Sequence, residues 1–192
     1  MRFPFKRYKL GTRFGAKGKL WQCGHHSGLD LVSAAYGGDG LVHPLYGGVV
    51  YKISSGGSYG NCVWIKHGDG YITLYAHLKL VYVRKNMEVD EDTVLGVEGM
   101  TGNASGRHLH IEVHKGSYNY PAVIDPLEFI NKRLEENEVQ KNIKINLNGA
   151  IKTVCVIEKD GNNYIRLQDL RDEKIVIGYD DKEKLPIVAV RG

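Results

Sequence analysis

The residues of this chain best suited to chemistry lie at positions 106–114, where polar and apolar residues alternate. The polar members of this stretch are His108, His110, Glu112 and His114. The residues between them are apolar and mostly β-branched, so the period of two predicts a half-buried strand. Each strand residue rises about 3.3 Å, which puts His108 and His110 about 7 Å apart on one face. Because imidazole binds zinc and transfers protons near neutral pH, these two histidines can serve one site.

His114 does not fit the same site on a strand, and the polar face as a whole can also be explained without a site. His110 and His114 would share a metal only on a helix, because on a strand they stand about 13 Å apart. Simple exposure to solvent would also account for a polar strand face without any site. Other parts of the chain must therefore decide between a site and a solvated face.

Two other places hold residues that can join such a site. His26 and Asp30 are separated by three residues and would lie about 13 Å apart in a straight strand. Gly28 lets the backbone bend between them, so that an imidazole and a carboxylate can meet at one zinc ion; a surface loop is the alternative. His77 ends a predicted strand beside the small Ala76, where a side chain can project into a cleft.

The elements that position these residues are short strands joined by glycine turns. Strands are predicted near residues 49–53, 61–67 and 71–78, and the Asp-Gly turn at 69–70 indicates a hairpin. The loop of small residues at 99–106 permits close approach of a substrate backbone. A helix is predicted with Asp125 as its cap, Pro126 at its first position and its end near Glu138.

The composition is that of a globular protein with a β-rich fold. Of 192 residues, 42% are hydrophobic and 24 are glycines, a number that favours many tight turns. No apolar run is long enough for a membrane span, and the first residues lack the apolar segment of a secretory signal. We therefore expect synthesis in the cytoplasm and no membrane insertion. The scattered Cys23, Cys62 and Cys155 predict reduced, structural thiols.

Positive charge is concentrated at the start of the chain. The net charge is +4, and residues 1–20 hold seven Lys or Arg and no acidic residue, so this arm can favour an anionic surface. A nucleic-acid-binding protein would need basic and aromatic residues interleaved over a whole face. That pattern is absent, and we expect no nucleic-acid partner.

Residues from about 141 onward change in character. Alternating runs with turns at residues 148–149 and 160–161 predict further short strands, and no histidine follows His114. Residues 131–140 become polar and charged and form a helical linker. The last part is therefore a small β-rich accessory module without a catalytic constellation.

Three short motifs occur together in this chain. They are His26 with Asp30, the Tyr-Ala-His-Leu of residues 75–78, and the Gly-Arg-His-Leu-His of residues 106–110. Together they resemble the signatures of the lysostaphin and LytM type of zinc endopeptidase. Residues 58–61, 67–78, 101–102 and 125–127 are also similar to that family, so the resemblance spans about residues 11–130. Ile111 departs from it, because an aromatic residue is common at that position.

The resemblance implies an antiparallel β-sheet catalytic domain in which His26, Asp30 and His110 bind Zn²⁺. It also implies that His77 and His108 are catalytic. Three protein ligands leave a fourth position for water, whose pKa falls to about 7 on zinc. A neighbouring imidazole must take its proton, since the glutamate of the helical zinc-protease motif is absent. Which of the two is the general base, and which stabilises the oxyanion or protonates the leaving group, stays open.

The resemblance thus predicts a zinc metalloendopeptidase that hydrolyses peptide bonds in bacterial peptidoglycan. It would act on the cell wall as a released endolysin or as a virion component. Its parts are a catalytic domain with the basic arm (1–130), the helical linker (131–140) and the accessory module (141–192), whose expected role is wall targeting or, second, oligomerisation. The alternative is a non-catalytic wall-binding or regulatory relative, but such relatives lack ligands or catalytic histidines, and all five are present here.

Overall fold

The computed structural model describes residues 1–19, 21, 24–116, 122–136, 139–147, 150–159, 162–165, 170, 175–180 and 185–190. It divides into two compact units, Met1–Leu134 and Glu135–Gly192. Within the residues it describes, no helix has the length and apolar character needed to cross a membrane.

The first unit is built mainly from short strands. In chain order they are β1 (Lys9–Leu10), β2 (Leu29–Val32), β3 (Leu41–Val42), β4 (Gly48–Ser54), β5 (Cys62–Lys66), β6 (Tyr71–Ala76), β7 (Leu80–Val81), β8 (Glu88–Val89), β9 (Gly96–Val97), β10 (Leu109–Lys115) and β11 (Val123–Ile124). A 3₁₀ turn covers Ala34–Tyr36, and helix α1 spans Pro126–Glu136. The predicted end of this helix near Glu138 lies outside the described residues. Asp125 caps α1 as expected, because its Oδ1 accepts the N–H of Leu127 at 2.8 Å.

One antiparallel sheet contains most of these strands, in the order β1-β2-β10-β6-β5-β4-β8, with β11 also paired to β10. Strand β10 therefore lies between β2 and β6, at a position where both of its edges are hydrogen-bonded. The predicted hairpin is present: β5 and β6 pair, and the N–H of His67 donates to Tyr71 O at 2.9 Å across the turn. Strands β3, β9 and β7 form a second small sheet.

An apolar core covers one face of the large sheet, and the mainly antiparallel β prediction is confirmed. Its fully buried members include Leu29, Leu31, Ile65, Tyr75, Leu109 and Ile111. These side chains alternate along β2, β6 and β10 with residues of the opposite face, as the period of two requires. Residues of β10 such as His110 and Glu112 therefore lie on the face opposite this core.

The basic N-terminal arm packs against the first unit. The side chain of Phe5 is in the core, and the guanidinium of Arg2 lies 3.6 Å from the carboxylate of Asp92. Asp92 belongs to an acidic segment at residues 88–92, and Asp90 stabilises the turn in this segment because its Oδ1 accepts the N–H of Thr93 at 2.9 Å. Part of the arm's charge thus faces acidic residues of the same chain.

The described residues of the second unit lie mostly in strands. These strands are β12 (Val139–Leu147), β13 (Ala150–Lys159), β14 (Asn162–Ile165), β15 (Ile175–Asp180) and β16 (Leu185–Val190). Residues 139–140, predicted as the end of the helical linker, belong to the first of these strands. Strands β12, β13 and β14 form one antiparallel sheet, and β15 pairs with β16. The turns predicted at 148–149 and 160–161, and Cys23, lie outside the described residues. Cys62 is a buried free thiol on β5.

Candidate metal and active site

The strand predicted around the histidines is β10, and both of its faces are buried. On the core face Ile111 and Val113 are 0% exposed, and on the opposite face His110 is 5% and Glu112 is 1% exposed. The alternative of a solvated polar face is therefore wrong. Buried polar groups require hydrogen-bond partners or a bound ion, so the neighbours of these side chains decide what this face does.

The neighbours of β10 bring an acid and a second histidine to His110. In the sheet register His110 lies opposite Asp30 on β2 and opposite Ala76 on β6. Asp30 consequently stands beside His110, and His77 follows directly after the end of β6. His26, in the segment that enters β2, reaches the same place.

The side chains of His26, Asp30 and His110 converge on one point. The Nε2 atom of His26 is 3.0 Å from Nδ1 of His110 and 3.1 Å from Oδ1 of Asp30. The third side of this triangle, from His110 Nδ1 to Asp30 Oδ1, is 3.0 Å. Among the residues that the structure describes, no other group of three His, Cys, Asp or Glu side chains is close enough to hold a metal ion.

In each histidine one ring nitrogen faces the triangle, namely Nε2 of His26 and Nδ1 of His110, and we call these the inner nitrogens. The hydrogen bond made by the other, outer nitrogen determines whether the inner nitrogen carries a proton or a lone pair. His26 donates from Nδ1–H to the carbonyl oxygen of Arg13, and His110 donates from Nε2–H to Oε1 of Glu112, each at 3.1 Å. A neutral imidazole carries one proton, so the two inner nitrogens present lone pairs. These lone pairs and the Asp30 carboxylate repel one another unless a cation lies between them. The donor set therefore fits a metal ion.

The pKa values of Asp30 and His110 also indicate that positive charge is favoured between these side chains. Burial raises the pKa of Asp30, but when His110 and His26 carry a proton on the nitrogens that face it, their hydrogen bonds outweigh burial and hold this pKa well below its usual value. Burial lowers the pKa of His110, and hydrogen bonds to Asp30 and Glu112 reverse that effect and raise it to about 9. A proton or a metal ion can meet this demand.

Gly28 is needed for space rather than for a special backbone angle. It is not among the residues with positive φ, so the predicted conformational freedom is the wrong reason. A Cβ at this position would lie 2.3 Å from the carbonyl oxygen of Ile111 and 2.7 Å from the His110 ring. The segment between His26 and Asp30 can pass this close to β10 only with glycine.

Glu112 organises the surroundings of His110, a role that the sequence analysis did not assign. Its Oε1 accepts hydrogen bonds from Ser27 Oγ, from His110 Nε2 and from the Tyr59 hydroxyl, the last at 2.8 Å. Its Oε2 accepts from His114 Nε2, also at 2.8 Å. Burial raises the pKa of Glu112, but hydrogen bonds from His110 and His114 hold it well below its usual value. Strand alternation alone signals that Glu112 shares the face of His110.

His77 and His108 flank the triangle. His77 donates from Nδ1–H to Thr101 O, and His108 donates from Nδ1–H to Gly106 O, each at 2.8 Å. Their ring centroids are 4.7 Å apart, and His108 Nε2 is 3.7 Å from Asp30 Oδ1. Burial lowers the pKa of His77 to about 4, and the charge of His108 adds to this effect while the Thr101 hydrogen bond opposes it. Both histidines thus keep Nε2 available for proton transfer.

The remaining histidines have other surroundings. They are His25, His43, His67 and His114, and none belongs to the close donor group found among the described residues. His67 is buried, with its ring nitrogens on the Gly47 carbonyl and the Thr73 hydroxyl at 2.9 Å. His114 contacts Glu112, with its Nε2 2.8 Å from Oε2.

Comparison with known proteins places this chain in a family. The model of peptidase family M23 matches residues 24–123. Murein hydrolase activator NlpD of Salmonella typhimurium is 33% identical over 111 residues, which cover 57% of this chain and 27% of NlpD. Peptidoglycan DD-endopeptidase ShyA of Vibrio cholerae is 39% identical over 91 residues, which cover 46% of this chain and 20% of ShyA. The chain thus spans about a quarter of the length of these curated relatives.

A solved structure gives the same answer for the fold. The catalytic domain of lysostaphin from Staphylococcus simulans superposes with a TM-score of 0.58 at 23% sequence identity, over 65% of this chain and 92% of that domain. The predicted lysostaphin and LytM type of fold is therefore confirmed. Since the family model covers just over half of its residues, the chain belongs to peptidase family M23.

Proposed function

We propose that this chain is a zinc endopeptidase that hydrolyses peptide bonds in bacterial peptidoglycan. The observation that carries the proposal is the triangle of His26, Asp30 and His110, with two further imidazoles beside it. Membership of a peptidase family and similarity to proteins named for murein and peptidoglycan support it. The zinc, the substrate and the five residue roles are all parts of the proposal.

His26, Asp30 and His110 would hold the zinc ion through Nε2, Oδ1 and Nδ1. Ligands about 2.0–2.2 Å from a tetrahedral zinc lie about 3.3–3.6 Å from one another. The observed separations of 3.0 and 3.1 Å need to open by only a few tenths of an ångström. When bound by three protein ligands, zinc leaves a position for water and lowers the pKa of that water to about 7.

His77 and His108 would carry the protons of the hydrolysis. Each ring donates Nδ1–H to a backbone carbonyl, so in the neutral form each presents a lone pair at Nε2. One imidazole accepts the proton that the attacking water loses as the new C–O bond forms. The other, when it carries a proton on Nε2 as well as on Nδ1, donates the Nε2 proton to the amine nitrogen as the C–N bond breaks, and the two rings then return to their starting states by proton exchange with the solvent. Single substitutions will establish which of the two imidazoles accepts the proton and which donates it.

A second candidate function is activation of another murein hydrolase, which similarity to NlpD favours. An activator needs the fold as a docking surface and does not need a bound metal or free imidazoles. All five residues, His26, Asp30, His77, His108 and His110, are present here. Each histidine ring is oriented by a hydrogen bond to a carbonyl or carboxylate oxygen, and this arrangement supports catalysis. The experiment must therefore distinguish activation of another hydrolase from catalysis by this chain itself.

Digestion of purified peptidoglycan by the chain alone tests the proposal. New free amino groups are counted, and the released fragments are sequenced by mass spectrometry to identify the bond cut. We expect cleavage that disappears on chelation and returns with zinc, and no cleavage by His110→Ala. If the chain releases no amino groups, yet accelerates digestion by an added murein hydrolase, activation is the function and the endopeptidase proposal fails.

The place of action and the second unit complete the proposal. We propose action on the wall after release or as a virion component, with residues 141–192 targeting the chain to peptidoglycan. Oligomerisation through that unit is the second expectation. Binding of the whole chain to intact walls, compared with a chain that ends at Gln140, separates these roles.

A further inference from the structure

His77 has an unusual backbone conformation at the end of β6. Its φ is +62°, in the left-handed region that side-chain-bearing residues adopt uncommonly. Such a conformation persists only where the surroundings hold it in place. The contacts that hold His77 therefore bear on how its ring is presented to the site.

Two loops hold the backbone of His77 and of the next residue. The N–H of His77 donates to Tyr59 O at 2.9 Å, and the N–H of Leu78 donates to Asn61 O at 3.0 Å. From the other side, the N–H of Thr101 donates to His77 O at 3.4 Å. The end of β6 is thus fixed by residues 59–61 and by Thr101.

The hydroxyl oxygen of Thr101 hydrogen-bonds both to the loop of residues 59–61 and to the turn after His77. Oγ1 accepts the N–H of Asn61 at 2.9 Å and donates to Leu78 O at 3.0 Å. The carboxamide of Asn61 donates to the same Leu78 carbonyl at 3.0 Å. The carbonyl of Thr101 meanwhile accepts Nδ1–H of His77 at 2.8 Å. One residue therefore fixes both the turn after His77 and the tautomer of its ring.

The two loops are packed too closely to shift independently. A Cβ on Gly60 would lie 2.3 Å from Thr101 Oγ1, and a Cβ on Gly102 would lie 2.4 Å from Gly60 N. Both glycines also have positive φ. Backbone therefore lies directly on backbone here, and the position of Thr101 is set by the fold.

We infer that Thr101 is a positioning residue that acts on the reaction through His77. This inference rests on the proposed function for its effect on rate. Its hydroxyl holds the turn at residues 77–78, and its carbonyl keeps the proton on Nδ1, so that Nε2 faces the site. Loss of the hydroxyl lets the turn relax, which misplaces the ring and weakens the preference for one tautomer. Misplacement by about 1 Å can cost about 10²-fold in rate.

Thr101→Val removes the hydroxyl at constant shape, and Thr101→Ser is the matched control that keeps it. In the zinc-loaded full chain we expect turnover to fall about 10–100-fold in Thr101→Val, with KM and zinc content unchanged. Thr101→Ser should stay within about threefold of the parent. In a His77→Ala background, Thr101→Val should change turnover less than about twofold, because its effect passes through the missing ring.

Nitrogen NMR of ¹⁵N-histidine-labelled protein gives a readout that does not depend on activity. The His77 signals are assigned by their loss in His77→Ala. They should report a proton on Nδ1 in the parent and in Thr101→Ser, and a mixture of tautomers in Thr101→Val. If peptidoglycan is not cleaved at all, the proposed function fails, and the tautomer measurement still decides the positioning role.

Two results would overturn the inference. One is an unchanged His77 tautomer in folded Thr101→Val, and the other is an equal loss of turnover with and without the His77 ring, which would indicate a general structural effect. Should Thr101→Val not fold, Asn61→Ala takes its place, since it removes one donor to the Leu78 carbonyl and leaves the Thr101 hydroxyl. A smaller change of the same kind is then expected, and none would overturn the inference.

Discussion

Replacing Glu112 by Gln should weaken zinc binding while leaving the fold intact. The Gln oxygen can still accept from Ser27, Tyr59 and His110, which all contact one carboxylate oxygen. The new NH₂ group faces His114, whose ring can present a lone pair by moving its proton to the other nitrogen. The side chain therefore keeps its place, and what is lost is its negative charge.

The size of the effect follows from the bond between Glu112 and His110. A hydrogen bond to an ionised acceptor is roughly twice as strong as a neutral one, so the amide polarises the His110 ring less. Loss of such a partner typically lowers metal affinity about 10–100-fold, which corresponds to about 1.4–2.7 kcal/mol. At saturating zinc the same amount disappears from the metal-dependent part of the unfolding free energy.

Competition with a chromophoric chelator measures the zinc affinity of each variant. Glu98→Gln is a matched control, since Glu98 is also fully buried and binds the N–H groups of Ser33 and Ala34, which are not proposed ligands. We expect a weaker zinc complex in Glu112→Gln and an unchanged one in Glu98→Gln. Equal affinity in folded Glu112→Gln and the parent, or an equal loss in both variants, would show that the charge of Glu112 does not strengthen zinc binding through His110.

Three further predictions follow from particular contacts. Gly28→Ala should weaken zinc binding, because its Cβ would meet the His110 ring, whereas Gly68→Ala, with open space around it, should not; equal affinities would contradict this. Burial lowers the pKa of His67, so the unfolded chain binds more protons than the folded one just below the ordinary value of 6.5. The unfolding free energy should therefore fall as the pH drops below about 6.5, and urea midpoints at two pH values should show a smaller fall in His67→Gln. A chain ending at Gln140 should keep its zinc but bind intact walls less well in pull-down assays, and equal binding would argue against wall targeting.

Strand alternation in the sequence predicts the part of the site that lies on β10 and on the residue just before it. The period of two places His108 and His110 on one face, and the structure has them there. That the face is buried is not predictable from the period, because burial depends on β2, β6 and the loops around them. Asp30 and His77 are reached from the sequence through family resemblance, since their closeness to His110 depends on strand register.

Contacts that depend on loop placement are the part that the sequence does not reveal. Glu112 lies on the predicted face, but its bond to Tyr59 requires the position of a loop 53 residues away in the chain. Gly28 is noticed in the sequence for its flexibility, whereas its actual function is to leave room for the His110 ring. The positive φ of His77 has no sequence signal, because it results from packing between two loops.

We propose that His26, Asp30 and His110 hold zinc and that His77 and His108 transfer protons. Zinc content and peptidoglycan hydrolysis, measured together in His110→Ala and His108→Ala at matched folding by circular dichroism, test this division most directly. His110→Ala should lose zinc and turnover together. His108→Ala should keep about one zinc per chain and lose about 10²–10⁴-fold in turnover, the usual cost of removing a general acid or base. Zinc loss in His108→Ala, or near-normal turnover in it, would show that His108 is not a proton-transferring residue separate from the zinc ligands.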